Sequence, residues 1–226
     1  MTGRAYPWIA SCALAIGCNA VFGLDDDNTF LALDGPLADA TPDAGVQTCL
    51  TESFDQPRPD IWTSTPAVFP FMVSSGTIQF EIEGTDITSE VGLIGKQTFD
   101  LTGGAIEITV VDPSAIDAEA GVFVTIDDDN SFAIVTRSNQ LGMYYSTTMM
   151  NTALITESTD TRLRVRHDPA TGTIVWETAA APMQRTAPQP ILKPSAVTVS
   201  VLGRSRTANV VDTVILDDLA VMALCP

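Results

Sequence analysis

The sequence predicts an all-β protein, an antiparallel sandwich with at most one short helix. Three observations carry that expectation. From Phe54 onward, apolar residues recur at every second position, the spacing of strands with one buried face. Thr, Val and Ile number 28, 19 and 16, and all three suit a pleated, half-buried surface. Clusters of Asp, Asn, Gly and Pro interrupt the alternating runs, where turns are expected.

The strands can be justified in chain order. Ile78, Phe80 and Ile82 alternate with Thr77, Gln79, Glu81 and Glu83, so the two glutamates belong to a solvated outer face. Ile106, Ile108 and Val110 alternate with Glu107 and Thr109. Pro113 to Glu119 is the one segment that reads as helical, for a turn or two. Val122, Val124 and Ile126 then lead through Asp127-Asp128-Asp129-Asn130 to Phe132, Ile134 and Thr136, a hairpin with a turn-rich tip. Val197, Val199 and Val201 form another strand, and Val214 to Leu224 closes the chain.

One hairpin can be registered from its residues. Arg162, Arg164 and Arg166 share one face, and Leu163, Val165 and His167 the other. With Pro169 to Gly172 as the loop, Val165 faces Trp176 and Arg164 faces Glu177, both favourable cross-strand pairs. A slip by one residue sets Arg164 against Trp176 and mixes the faces. In the favoured register Trp176 is a core residue, and His167 ends a strand beside Ile174 and Trp176.

Residues 1–17 read as an export leader. Arg4 is its one charge, and the apolar run from Ala5 to Gly17 is too short to span a bilayer. It ends Leu14-Ala15-Ile16-Gly17-Cys18, which resembles the lipobox of bacterial lipoproteins. The resemblance implies that Cys18 is acylated, becomes the mature N-terminus and anchors the chain to the bilayer. Asn19 stands where Asp would imply retention in the inner membrane, so the outer membrane is expected. Residues 18–48 then form the lipidated N-terminus and an acidic tether. Six Asp and no base lie between residues 25 and 48, a composition that buries too little apolar surface to order itself. As a coil it reaches on the order of 27 Å. Cys12 leaves with the leader and Cys18 takes lipid, so Cys49 and Cys225 remain to form a disulfide in an oxidising compartment. They would staple the two ends of a domain spanning residues 49–226.

Several short stretches together resemble the concanavalin A-like lectin and glucanase domains. They are Glu52-Ser53-Phe54-Asp55-Gln56 with Trp62, Phe99-Asp100-Leu101-Thr102-Gly103-Gly104, the Arg162 to Thr178 hairpin, and Ile215-Leu216-Asp217-Asp218-Leu219. The resemblance implies a two-sheet jelly roll whose concave sheet often holds sugar. That fold carries lectins, hydrolases, lyases and adhesion modules alike.

Composition narrows the function. A net charge of −17 with one histidine excludes a phosphate-backbone interface and leaves a Ser-His-Asp mechanism to a single residue. The glucanases' alternating Glu-x-Asp-x-(x)-Glu strand has its nearest match in Glu81-Ile82-Glu83, where no third acid arrives in phase. No catalytic residue is therefore assigned, and an enzyme is not expected. For metals, Asp127, Asp129, Asp217 and Asp218 offer oxygens suited to Ca²⁺, without the spacing of a calcium loop. Two consecutive acids inside the apolar last strand point first to a bulge. Sugar stacking would fall to Trp62, Tyr144, Tyr145 and Trp176. Adjacent tyrosines on a strand point to opposite faces, so one of Tyr144 and Tyr145 should be exposed. The expected protein is a surface-anchored lipoprotein with a non-catalytic binding or adhesion domain, its ligand a carbohydrate by resemblance. The alternatives are a divergent glycan-active hydrolase or lyase, and a structural envelope protein without a small ligand.

Overall fold

The structure, a computed structural model, describes residues 45–65, 71–83, 90–113, 118–138, 140–147, 150–158, 160–178, 184–187, 194–205 and 211–225. The leader, Cys18 and most of the expected tether lie outside the described residues. The described residues form fourteen strands: β1 (Gln47–Glu52), β2 (Trp62–Ser64), β3 (Phe71–Ser74), β4 (Thr77–Glu83), β5 (Glu90–Asp112), β6 (Ala118–Thr125) and β7 (Ser131–Arg137), followed by β8 (Gln140–Thr147), β9 (Met150–Glu157), β10 (Arg162–Asp168), β11 (Thr173–Thr178), β12 (Gln184–Thr186), β13 (Val197–Ser205) and β14 (Val211–Leu224). Every pairing is antiparallel, and no helix occurs among the described residues. β1 begins two residues before the expected boundary at Cys49.

The hydrogen bonding is continuous because β5 serves both layers of the sandwich. Its first half, Glu90 to Phe99, pairs with β13 and β2. Its second half, Asp100 to Asp112, pairs with β10 and β14. One layer therefore runs β2, β5, β13, β6, β7, β8, β9, and the other runs β12, β11, β10, β5, β14. The far edge of β14 is shared. Val211 to Leu216 pairs with β4, and Leu219 to Ala223 with β1. At that change of partner the register slips, and Asp218 takes a φ of 47°. The expected bulge at Asp217-Asp218 is present there.

Alternation places the core. Val122, Val124, Phe132, Ile134, Met143, Tyr145, Val199 and Val201 meet Ile106, Ile108, Leu163, Val165, Trp176, Val214 and Val221 in one apolar cluster. The Val165–Trp176 and Arg164–Glu177 pairs stand in the register the sequence favours. His167 pairs with Ile174 and is buried, its Nδ1 accepting the Gly103 N–H at 3.3 Å. On the outer face of β10, Arg166 Nε lies 2.7 Å and Arg164 Nη1 3.6 Å from the Glu177 carboxylate. Arg162 and Arg164 also flank Glu107, at 3.0 and 3.4 Å. Cys49 and Cys225 are disulfide-bonded with their Cα atoms 5.4 Å apart, which ties β1 to the end of β14.

Candidate functional site

The first site to consider is the face of the β13-β6-β7-β8 layer turned away from the core. In-phase residues build it: Glu119, Gly121 and Phe123 from β6, Ala133, Val135 and Arg137 from β7, Gly142 and Tyr144 from β8, and Leu202 and Arg204 from β13. One row across the sheet reads Glu90, Arg204, Glu119, Arg137, Gln140, Glu157. From Arg204 through Glu119 to Arg137, base, acid and base alternate as favourable cross-strand neighbours.

Glu119 is the centre of this row and is 0 % exposed. Its carboxylate accepts from Arg204 Nε at 2.8 Å and from the Tyr144 hydroxyl, and Arg137 Nη1 stands 3.9 Å away. The Arg204 guanidinium lies 5.2 Å from the Phe123 ring centroid and 5.1 Å from that of Tyr144, within cation–π range of both. Gly142 makes this possible. A Cβ there would stand 2.8 Å from the Tyr144 ring, so only Gly lets the ring lie back toward Glu119. Phe123, Ala133, Val135, Tyr144 and Leu202 form a second buried cluster beneath. On this face the side chains are buried and pack against one another.

A second site is an open pocket of about 330 Å³ at the edge where the two layers meet. Phe54, Trp62, Phe71, Val73, Leu93, Pro57 and Pro59 supply its apolar wall, with Glu52, Gln56, Arg58 and Ser64 as polar groups. Glu52 ends β1 and is 3 % exposed. Its Oε1 accepts the Phe54 N–H at 3.0 Å and its Oε2 the Trp62 Nε1–H at 2.8 Å. Phe54 has a φ of 51°, an uncommon conformation for a bulky residue. The bond from Glu52 to the Phe54 N–H holds that turn.

The predicted residues separate onto different parts of the fold. Trp62 lines the pocket, with its ring largely buried. Tyr145 and Trp176 meet in the core, edge to face with centroids 6.4 Å apart. There Trp176 Nε1–H donates to the Ala133 carbonyl at 3.0 Å, and burial pushes the Tyr145 hydroxyl up to about 12. Tyr144 and Tyr145 do point to opposite faces, but neither is exposed. That corrects the sequence expectation, because Tyr144 is claimed by Glu119 and Arg204 on a face that is also packed. A second correction concerns Pro113 to Glu119. Ala118 and Glu119 open strand β6, and residues 114–117 lie outside the described set.

The acids read as structural at these positions. Asp127 Oδ1 accepts the Asp129 N–H at 2.9 Å, the Asn130 Nδ2–H at 2.7 Å and the Asn130 N–H at 2.8 Å, holding the β6–β7 turn, and these bonds keep its carboxyl below the usual range. Asp129 is exposed beside it. Asp217 Oδ1 accepts the Asp218 N–H at 2.6 Å inside the bulge. Burial raises the Asp217 carboxyl, and the charges of Asp218 and Asp55 act in the same direction. Among the described residues, no group of three or more His, Cys, Asp or Glu could hold a metal ion. No described helix is long and apolar enough to cross a membrane. Sequence reasoning missed Glu119, Arg204 and the environment of Glu52. The available signal was a charge bordering an apolar run, in phase with its residues, as in Glu119-Ala120-Gly121-Val122-Phe123 and Val201-Leu202-Gly203-Arg204.

Comparison of the backbone with solved structures decides the architecture. A Bacillus licheniformis beta-glucanase superposes with a TM-score of 0.57 at 13 % identity, covering 80 % of this chain and 99 % of that one. The fold is the glucanase jelly roll. The LamAcat structure from Zobellia galactanivorans matches with a TM-score of 0.58 at 10 % identity, over 77 % of this chain and 97 % of the other. An immunostimulatory antigen and pseudo beta-1,3-glucanase of Mycobacterium tuberculosis matches with a TM-score of 0.57 at 10 % identity, over 80 % and 99 %. No family model matches the sequence, and no curated protein does so either.

Proposed function

We propose that the jelly roll binds a glycan without cleaving it, and that an exported, Cys18-acylated chain presents it at the outer membrane. The observation that carries the non-catalytic reading is the state of Glu119. Retaining glycosidases need two carboxyl groups about 5–5.5 Å apart, and inverting ones about 6.5–9.5 Å. Here the buried carboxylate on the outer face of the β6 layer is bonded to Arg204 and Tyr144. The other acids of the row, Glu90 and Glu157, sit two and three strands away, about 10 and 14 Å by strand spacing, and Arg204 occupies the register position between Glu119 and Glu90. Gly121 and Phe123 occupy the positions in phase with Glu119 on its own strand.

Binding then belongs to the Trp62 pocket, where an indole and a phenyl wall meet a carboxylate, an amide, a guanidinium and a hydroxyl. That combination offers apolar contact for a sugar's ring carbons and hydrogen bonds for its hydroxyls. Structural neighbours named as glucanases support carbohydrate as the ligand class, and one named as a pseudo-glucanase supports a use of this fold without cleavage. The Cys49–Cys225 bridge supports an oxidising, exported location.

A glycan array with the purified chain, run with and without Ca²⁺ and followed by a reducing-end assay on each ligand, tests the proposal. Binding without release of new reducing ends is expected. Cleavage would restore the hydrolase alternative. Binding of no glycan would favour a structural envelope protein, a reading supported by the buried apolar cluster on the outer face of β6 to β8. Acyl labelling of a Cys18→Ser chain tests the anchor, and a labelled, membrane-bound product would overturn it.

A further inference from the structure

Glu52 places a buried carboxylate in the wall of the Trp62 pocket without a matching cation. Both of its oxygens take neutral donors, the Phe54 N–H and the Trp62 Nε1–H. Among the described residues, no Lys or Arg nitrogen lies within 4.0 Å of it. Buried carboxylates are as a rule paired with a cation, and Glu119 and Glu177 in this chain both are. Two bases stand near the pocket mouth, and each has a partner other than Glu52. Arg58 Nη2 bonds Asp60 Oδ2 at 3.2 Å, and Lys96 Nζ donates to the Pro59 carbonyl.

We infer that the pocket selects a ligand bearing a primary ammonium and, resting on the glycan reading above, that this ligand is an amino sugar with its amine free. An ammonium brings three donors and no acceptor. Each Glu52 oxygen accepts one hydrogen bond and retains a second acceptor site for it. Trp62, Phe54 and Phe71 surround the same space, and aromatic faces attract a cation as well as stack on a ring. A pocket of about 330 Å³ is at the small end of ligand sites, sized for one or two sugar rings rather than a long chain. An acidic sugar would meet the Glu52 charge directly and is excluded. The strong net negative charge of the chain also raises the local concentration of cationic ligands.

Calorimetric titration of the full chain with glucosamine, N-acetylglucosamine, glucose and cyclohexylamine tests this from the ligand side. Glucosamine is expected to bind at least ten-fold more tightly than its acetylated or neutral counterpart, and to shift the Trp62 indole N–H resonance. Equal binding of glucose or N-acetylglucosamine would overturn the ammonium inference while leaving the glycan reading intact. Binding of cyclohexylamine alone would support the ammonium site and overturn the sugar. Binding of none of the four, or binding that leaves the Trp62 resonance unmoved, would overturn the site. Glu52→Gln, checked for folding by circular dichroism, is expected to abolish the ten-fold preference. Should that variant unfold, the four-ligand comparison decides alone.

Discussion

The Trp62 indole donates to Glu52 Oε2 at 2.8 Å across the two layers of the sandwich, since β2 pairs with the first half of β5 and β1 with β14. One hydrogen bond between residues ten apart in sequence thus closes the sandwich edge and shapes the pocket. Trp62→Phe would keep most of the apolar contact and remove the donor, leaving a buried carboxylate oxygen short of a partner. Such a loss costs about 1–3 kcal/mol, and each kcal/mol lowers Tm by about 2–4 °C in a domain of this size. Scanning calorimetry should therefore show a drop of several degrees. An unchanged Tm would mean the bond contributes nothing to the edge.

The Cys49–Cys225 bridge closes a loop over a sequence separation of 176 residues. The chain-entropy relation gives about 5 kcal/mol for a loop of that size, against a typical 2–4 kcal/mol in practice. Reduction, or the double Cys49→Ser, Cys225→Ser change, should lower the urea midpoint and steepen the slope, because the unbridged denatured chain exposes more surface. The native chain should show neither thiol to a probe under denaturing, non-reducing conditions. Labelling of both would refute the bridge.

Asp217 sets a pH dependence at the bulge. Its folded-state carboxyl is raised, by burial first and then by Asp218 and Asp55. The folded chain therefore keeps a proton that the unfolded chain has already released. Stability falls as pH rises from the ordinary Asp value, near 3.9, through the raised folded value, and stays lower above it. Asp217→Asn keeps an oxygen for the Asp218 N–H and removes the charge. Its Tm should exceed that of the parent at pH 7 and converge with it below about pH 4. A variant less stable than the parent at pH 7 would show that the charged form is needed in the bulge.

The fold was legible because its pattern is local. Alternation named the strands, and the Arg164–Glu177 and Val165–Trp176 pairs followed from keeping charged and apolar residues on separate faces. The disulfide followed from which cysteines remained. The sites were less legible, for two physical reasons. Tyr144 and Tyr145 were correctly assigned to opposite faces, yet period-two alternation cannot tell a solvated outer face from one packed a second time, as around Phe123 and Leu202. The second reason is distance along the chain. Glu119 meets Arg204 across 85 residues and Tyr144 across 25, partners that only the β13-β6-β7-β8 strand order brings together. The sequence marks Trp62 as a candidate, but its meeting with Phe71 and Leu93 depends on the layers' shared edge.

Glu119 is where stability and function separate most sharply. Glu119→Gln would take from Arg204, buried between the Phe123 and Tyr144 rings, the carboxylate that its Nε donates to. Breaking one side of a buried pair costs about 3–5 kcal/mol, whereas replacing both partners with apolar residues is often neutral. Chemical denaturation should therefore show Glu119→Gln strongly destabilised and the double Glu119→Met, Arg204→Met chain largely restored. Glycan binding at the Trp62 pocket should survive the double change, because no Glu119 or Arg204 atom lines it. If Glu119→Gln were instead as stable as the parent and lost an activity on glycans, the carboxylate would be serving chemistry rather than packing. The hydrolase alternative would then displace the binding module.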